Sequence, residues 1–159
     1  MRYVPIMMSF VFLTWTASVG AETCEHTANA FKCVKFEKNY DGDTLTVSIP
    51  NVHPLLGQKV SVRILGIDTP EVKTHDTCEK SAARNAQRLV ENLLSHAQRI
   101  DLENVARDKY FRILADVRVD GKSVAELLIK NRLAVAYDGG TKAKTNWCLL
   151  AEGRSKPKN

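Results

Sequence analysis

The chain has 159 residues, enough for one domain with a real core and too few for two comfortable ones. It carries 23 Lys+Arg against 18 Asp+Glu, formally +5, with pI ≈ 9.1. That balance favours polyanion partners, but a surplus this small also fits an ordinary soluble protein, which is the default until a site is found.

The first 21 residues read as a targeting segment. Arg2 is their only charge, an apolar run follows through Ile6 and Leu13, and Val19-Gly20-Ala21 offers small residues to a signal peptidase. The run is short for a membrane span. Cleavage is expected after Ala21, leaving a domain over 22–153 with no stable membrane association and an exported location, periplasmic or secreted. All four cysteines, Cys24, Cys33, Cys78 and Cys148, lie after that cut, and an even count in an exported chain reads as two disulfides. Three pairings are possible and the sequence does not choose. The expectation adopted is Cys24–Cys33 with Cys78–Cys148. No CxxC spacing or histidine pair supports zinc, and His26, His53, His75 and His96 are taken as surface or loop residues.

Residues 31–38 alternate weakly and are expected as a strand. Residues 39–43 turn by their Asn, Asp and Gly content. Residues 44–49 alternate cleanly as the partner strand of a hairpin, 50–58 form a loop, and 59–67 form a third strand. Pro70 should end that strand near Thr69, so Asp68 and Glu71 fall at a strand end and in the loop beyond it. A long helix follows, with Asp76 as cap, Glu79 reaching back to it, and Ala82, Ala86, Leu89, Leu93 and Ala97 at helical spacing. Arg84, Arg88 and Glu91 are its solvated face. Residues 99–103 form a half-buried strand, 104–108 a turn and 110–119 another strand. Ser123 and Glu126 open a short helix. Residues 133–137 are extended, Trp147 and Cys148 anchor the tail, and 154–159 form a disordered basic end. Five strands with a helix between the third and fourth give the element order of a five-stranded OB barrel, an α+β fold.

The chemistry lies in two loops. Asp41 and Asp43 point the same way if the backbone is extended, although Asp-Gly-Asp-Thr is also a common turn. With Asp68, Thr69 and Glu71 they supply hard oxygen ligands suited to Ca²⁺ or Mg²⁺. Arg63 and Arg112, each on an apolar strand, are the cationic half, and a planar fork grips phosphate in two places. Each alone is more simply a surface arginine or a carboxylate partner. Lys109, Tyr110 and Tyr137 could flank a nucleotide by charge and ring contact.

These residues carry a resemblance. Asp41-Gly42-Asp43-Thr44, the run from Arg63 to Glu71, Asp108-Lys109-Tyr110-Phe111-Arg112, and Leu133-Ala134 after a helix resemble the staphylococcal nuclease (thermonuclease) family, over roughly Val34 to Tyr137. The resemblance implies an OB-fold nuclease that cleaves DNA and RNA with one Ca²⁺ ion and leaves 3′-phosphates. It implies Asp43 and Asp68 as direct metal ligands, the Thr69 carbonyl as a third, and Asp41 acting through water. It gives Glu71 the attacking water, and Arg63 and Arg112 the phosphate. A monomer preferring single strands is expected. The alternative is a non-catalytic OB-fold module that binds nucleic acid or a protein partner, but such a module has no use for Glu71 beside a metal.

Three departures from the family stand out. Phe111 replaces a usual glycine and could alter the aim of Arg112. Arg132 replaces a helix-ending glycine, which would shift capping to Asn131. The C-terminal region is shorter than the founding member's long last helix, and a Cys78–Cys148 bridge would compensate by tying the tail to the long helix.

Overall fold

A computed structural model describes residues 23–108 and 110–153. The expected leader at 1–21, Lys109 and the tail at 154–159 lie outside the described residues.

The first hairpin pairs β1 (Lys35–Asn39) with β2 (Thr44–Ser48), antiparallel. Leu45 and Val47 alternate inward on β2, as a period of two requires for one buried face. The connection that follows was expected as a plain loop, but it contains the one-turn helix α1 (Pro54–Gly57). Proline begins the helix, where its missing N–H costs nothing, and His53 caps it by accepting from the Leu55 N–H.

The expected third strand is two strands. β3 (Val60–Ile64) pairs antiparallel with β2, while β4 (Ile67–Asp68) leaves the sheet to pair elsewhere. Gly66 makes the break at φ +81, a conformation that costs glycine little. The long helix α2 (Thr77–Ser95) begins at Asp76, whose carboxylate accepts from the N–H groups of Cys78 and Glu79. Glu79 does not reach back to the cap. Its oxygens accept instead from Thr74 Oγ1 at 2.9 Å and Glu71 N at 3.3 Å, bracing the loop before the helix. The buried face of α2 is Ala82, Ala83, Ala86, Val90 and Leu94, with Leu89, Leu93 and Ala97 half-buried beside it.

β5 (Ile100–Arg107) runs through the stretch expected to turn, past an irregularity between Glu103 and Ala106 that Asn104 absorbs at φ +52. β6 (Ile113–Val119) starts later than expected, so Tyr110, Phe111 and Arg112 belong to the preceding turn and Arg112 is not on a strand. β7 (Lys122–Ser123) pairs with β6. Helix α3 (Val124–Lys130) is capped by Ser123 Oγ, which accepts from Glu126 N. β8 (Val135–Ala136) pairs with β4, and α4 (Trp147–Ala151) ends the described chain.

The main sheet runs β1-β2-β3-β6-β5, with β3 and β6 parallel. Its two edges meet. The segment before β1 bonds to β5 through Phe31 N to Leu102 O at 2.9 Å, Leu102 N to Phe31 O at 2.8 Å and Val34 N to Ile100 O at 2.9 Å. Closing an edge this way removes a row of unpaired backbone groups. The five expected strands correspond to β1, β2, β3, β5 and β6, and the expected α+β, OB-type class is the class observed. Inside lie Leu45, Val62, Ile64, Leu102 and Val117, with Ala86 and Val90 of α2 and Leu128 of α3 packed on them. Each fully buried aliphatic side chain contributes about 1.5–3 kcal/mol. Cys24 is bonded to Cys33 at the closing segment, and Cys78 of α2 to Cys148 of α4, with Cα separations of 5.4 and 5.7 Å.

Candidate active site

The β1–β2 turn is held by its own first aspartate. Asp41 Oδ1 accepts from Asp43 N at 3.0 Å and Thr44 N at 2.6 Å, the local bonding that makes Asp a turn former. Gly42 lies under α2, where a Cβ would meet Ala86 Cβ at 2.7 Å and Thr69 Cγ2 at 3.0 Å. The helix therefore presses the turn against Thr69 and fixes where Asp43 points.

Asp43 is buried, and its carboxylate gathers the site. Oδ1 accepts from Arg63 Nη1 and from Thr44 Oγ1 at 3.1 Å, and Oδ2 accepts from Thr69 N at 3.3 Å. Burial, and then the charge of Asp41, push its carboxyl above the usual 3.8, against the pull of Arg63 and the two hydrogen bonds. Arg63, opposite Thr44 across the β2–β3 ladder, also donates from Nη2 to Ile67 O at 3.2 Å and lies 3.6 Å from Asp68 Oδ1. Arg112 is aimed from the other side. Asp108 accepts from its backbone N at 2.9 Å and its Nε at 2.7 Å, and Nη1 reaches Thr44 Oγ1 at 3.5 Å. Burial alone would raise the Asp108 carboxyl, but its bonds to Arg112 and to Tyr110 N outweigh this and hold it low. Arg63 and Arg112 are thus joined through Asp43 and Thr44.

Asp68 and Glu71 stand at the end of β4 and just beyond it. Asp68 is 8 % exposed, and its Oδ1 is fully covered with no hydrogen bond of acceptable geometry. That oxygen lies 2.7 Å from the Nζ of Lys142, whose ammonium also donates to Glu71 Oε1 at 2.9 Å. The first contact is therefore an ion pair without hydrogen-bond alignment, and the second is a hydrogen bond. Burial works against the Lys142 charge, but the Asp68 and Glu71 carboxylates beside it outweigh that and raise its pKa.

A cleft of about 530 Å³ is lined by Asp41, Asp43, Arg63, Thr69, Glu71, Arg112, Tyr110 and Tyr137 together. Tyr110 is exposed with the Arg112 guanidinium 5.5 Å from its ring centre, and the Tyr137 hydroxyl donates to Gly140 O at 2.8 Å. Lys109 lies outside the described residues. Asp68 faces the adjoining cleft with Thr69, Glu71 and Lys142. Among the described residues, no three of the carboxylates Asp41, Asp43, Asp68 and Glu71 bring ligand atoms within 4.8 Å of one another; the one group that does is Asp76 with the disulfide-bonded Cys78 and Cys148. The donor set nonetheless fits a hard divalent ion: it is all oxygen, it carries more negative than positive charge, and one buried carboxylate oxygen lacks a hydrogen bond.

Two residues of this site escape a reading of the sequence. Asp108 orients Arg112, and its spacing of four from that arginine was the available signal. Lys142 has partners 71 and more residues upstream, and nothing local to it points to them.

A closed mixed sheet under a long helix, with carboxylates and two guanidinium groups meeting in one cleft, defines an OB-type domain. The sequence matches the staphylococcal nuclease homologue family over residues 61–156, and the chain belongs to that family. The match contains Arg63, Asp68, Thr69, Glu71 and Arg112; the hairpin with Asp41 and Asp43 precedes it and joins them by the contacts above. The chain is 38 % identical over 125 residues to Endonuclease YncB of Bacillus subtilis (strain 168), covering 74 % of this chain and 56 % of that protein. It is 37 % identical over 115 residues to the SPbeta prophage-derived endonuclease YokF of the same organism, covering 69 % of this chain and 36 % of that protein. The chain thus spans about half the length, or less, of these curated relatives.

Proposed function

We propose that the protein is an exported, calcium-dependent endonuclease that hydrolyses phosphodiester bonds of DNA and RNA with little sequence selectivity and leaves 3′-phosphate ends. The observation that carries this reading is the Arg63–Asp43–Thr44–Arg112 chain in one cleft with Glu71. Two guanidinium groups and a water-side carboxylate converge where an extended phosphodiester can enter. Endonuclease names on both relatives support it, and the N-terminal apolar run with two disulfides supports export.

Asp43, Asp68 and the Thr69 carbonyl would hold the ion, with Asp41 acting through water. When bound, the ion polarises a phosphoryl oxygen. Glu71, exposed at the mouth, takes or orients the proton of the attacking water. Arg112, fixed by Asp108, and Arg63 meet negative charge as it develops on the phosphoryl oxygens. Water attacks phosphorus, the bond to the 5′ oxygen breaks, that oxygen leaves as a hydroxyl with a proton, and the phosphate stays on the 3′ side. Tyr110 and Tyr137 offer rings for stacking, which favours single strands and frayed ends with bases free to turn outward. A monomer suffices, because every group named comes from one chain.

The test is digestion of single-stranded DNA with calcium and then with a chelator, followed by end-group analysis. Cleavage only with calcium and 3′-phosphate ends are expected. Binding without cleavage in calcium would replace this reading with a non-catalytic OB-fold binding module.

A further inference from the structure

Lys142 reaches the site from the strap between β8 and α4, which is held at both ends. At its start Tyr137 N donates to Gly66 O at 2.9 Å. At its end Trp147 is buried against Ala82 of α2, and Cys148 is bonded to Cys78. Residues 138–144 between these anchors are exposed. From this strap the ammonium sits between Asp68 Oδ1, an oxygen of an expected metal ligand, and Glu71 Oε1, the carboxylate assigned to the attacking water. Its bond to Glu71 is aligned, while its contact with Asp68 is close but unaligned. An ammonium attracts along three N–H directions, whereas a hard divalent ion attracts equally all round and suits the buried Asp68 oxygen better. Lys142 lines both the main cleft and the adjoining one of about 720 Å³, so its side chain has room to withdraw.

We propose that Lys142 is a resident counter-ion of the metal site, displaced when calcium binds, so that this one residue sets metal affinity and couples the 138–144 strap to metal occupancy. The inference rests on the calcium reading above. Two cations cannot both sit against the Asp68 carboxylate without strong repulsion. By linkage, the factor by which Lys142 weakens the hold on calcium equals the factor by which bound calcium weakens the hold of Lys142.

The experiment is calcium titration by calorimetry on the full chain, comparing wild type, Lys142→Met, Lys142→Gln and, as a control for net charge, Lys144→Met. Both Lys142 variants are expected to bind calcium about tenfold more tightly than wild type, within the usual span of coupling between two sites. The control should stay within about twofold, since a screened exposed charge two residues away does little. Equal or weaker binding by the Lys142 variants would overturn the proposal while leaving the calcium reading intact. Absence of binding by wild type and variants alike would overturn both. Amide exchange across 138–144 should quicken in wild type at saturating calcium, and unchanged exchange would refute the coupling to the strap. That readout needs no variant, so it holds even where a substitution impairs folding.

Discussion

Among the described residues, two clusters of carboxylates and cations are built on different terms. At the barrel closure, Asp101 and Glu103 of β5 meet Lys32, Arg99 and Arg118. Asp101 accepts from Cys33 N at 2.9 Å and Arg99 Nε at 3.0 Å, and Glu103 faces Lys32 at 2.6 Å and Arg118 at 2.7 Å. Every carboxylate oxygen there has a donor or a cation. Burial would raise the Asp101 carboxyl, but its bonds to Arg99, Cys33 N and Lys32 outweigh that; Glu103 is held low chiefly by Lys32. In the cleft the balance is reversed. Burial and Asp41 hold Asp43 above its usual value, and among the described residues the four carboxylates of Asp41, Asp43, Asp68 and Glu71 meet only the three cations of Arg63, Arg112 and Lys142. A cluster that serves the fold can be neutralised completely. One that must receive an ion has to be left short of positive charge, and the shortfall is itself a mark of the site.

The largest test of this contrast is catalytic. Arg112→Ala and Glu71→Gln are each expected to lower kcat on single-stranded DNA by about 10²–10³, the usual effect of removing one group aimed at developing charge or a water. The exposed Glu71→Gln change should move stability by less than about 0.5 kcal/mol. Asp101→Asn should do the opposite. It removes half of a charge-assisted set at a covered position and should cost about 1.5–3 kcal/mol by urea unfolding, with kcat unchanged. An Asp101→Asn enzyme with full stability and reduced kcat would erase the distinction between the two clusters.

A pH series sharpens the same point. Asp101 and Glu103 have folded pKa values below their ordinary 3.8 and 4.5. Their contribution is therefore fully present above those ordinary values and is lost as pH falls through the lower folded ones. The urea midpoint should drop between about pH 5 and pH 3, and the drop should be shallower in Asp101→Asn. An equal drop in both proteins would remove Asp101 from the acid response.

What could be read from the sequence follows the range of each interaction. The Asp76 cap, the Thr44–Ser48 strand and the carboxylate motifs were legible because their partners lie within a few residues. The break at Gly66 was hidden inside an apolar run that reads as one strand from Lys59 to Ile67. The extension of β5 past Asn104 was hidden because Asn, like Asp, normally signals a turn, and here it occupies an irregularity in a continuing ladder. Glu79 satisfied the capping-box pattern but bonds instead to Thr74 and Glu71, in the loop just before the helix, for which the pattern gives no signal. The placement of Lys142 depends on β8, α4 and a disulfide with a sequence separation of 70, so no local pattern carries it.

The smallest expected effects concern the two positions where glycine is usual in the resembled family. Both residues keep the left-handed backbone that glycine would supply: Phe111 at φ +63 and Arg132 at φ +60. At the end of α3, Arg132 N bonds to Ile129 O and Leu133 N to Leu128 O, each at 2.9 Å, the paired closure that favours glycine after a helix cap. Arg132→Gly relieves about 1 kcal/mol of strain and returns part of it as unfolded-chain entropy, so a gain near 0.5 kcal/mol is expected with no change in kcat. Phe111→Gly should give a similar gain, because Phe111 is 81 % exposed and buries little. Its turn, closed by Phe111 N to Asp108 O at 3.1 Å and Asp108 N to Arg112 O at 3.0 Å, carries Arg112, so only this variant should also shift kcat. Equal stability gains with a kcat change confined to Phe111→Gly would place the functional cost of strain in the cleft alone. Unchanged kcat in both would mean that Asp108 fixes Arg112 whatever residue occupies position 111.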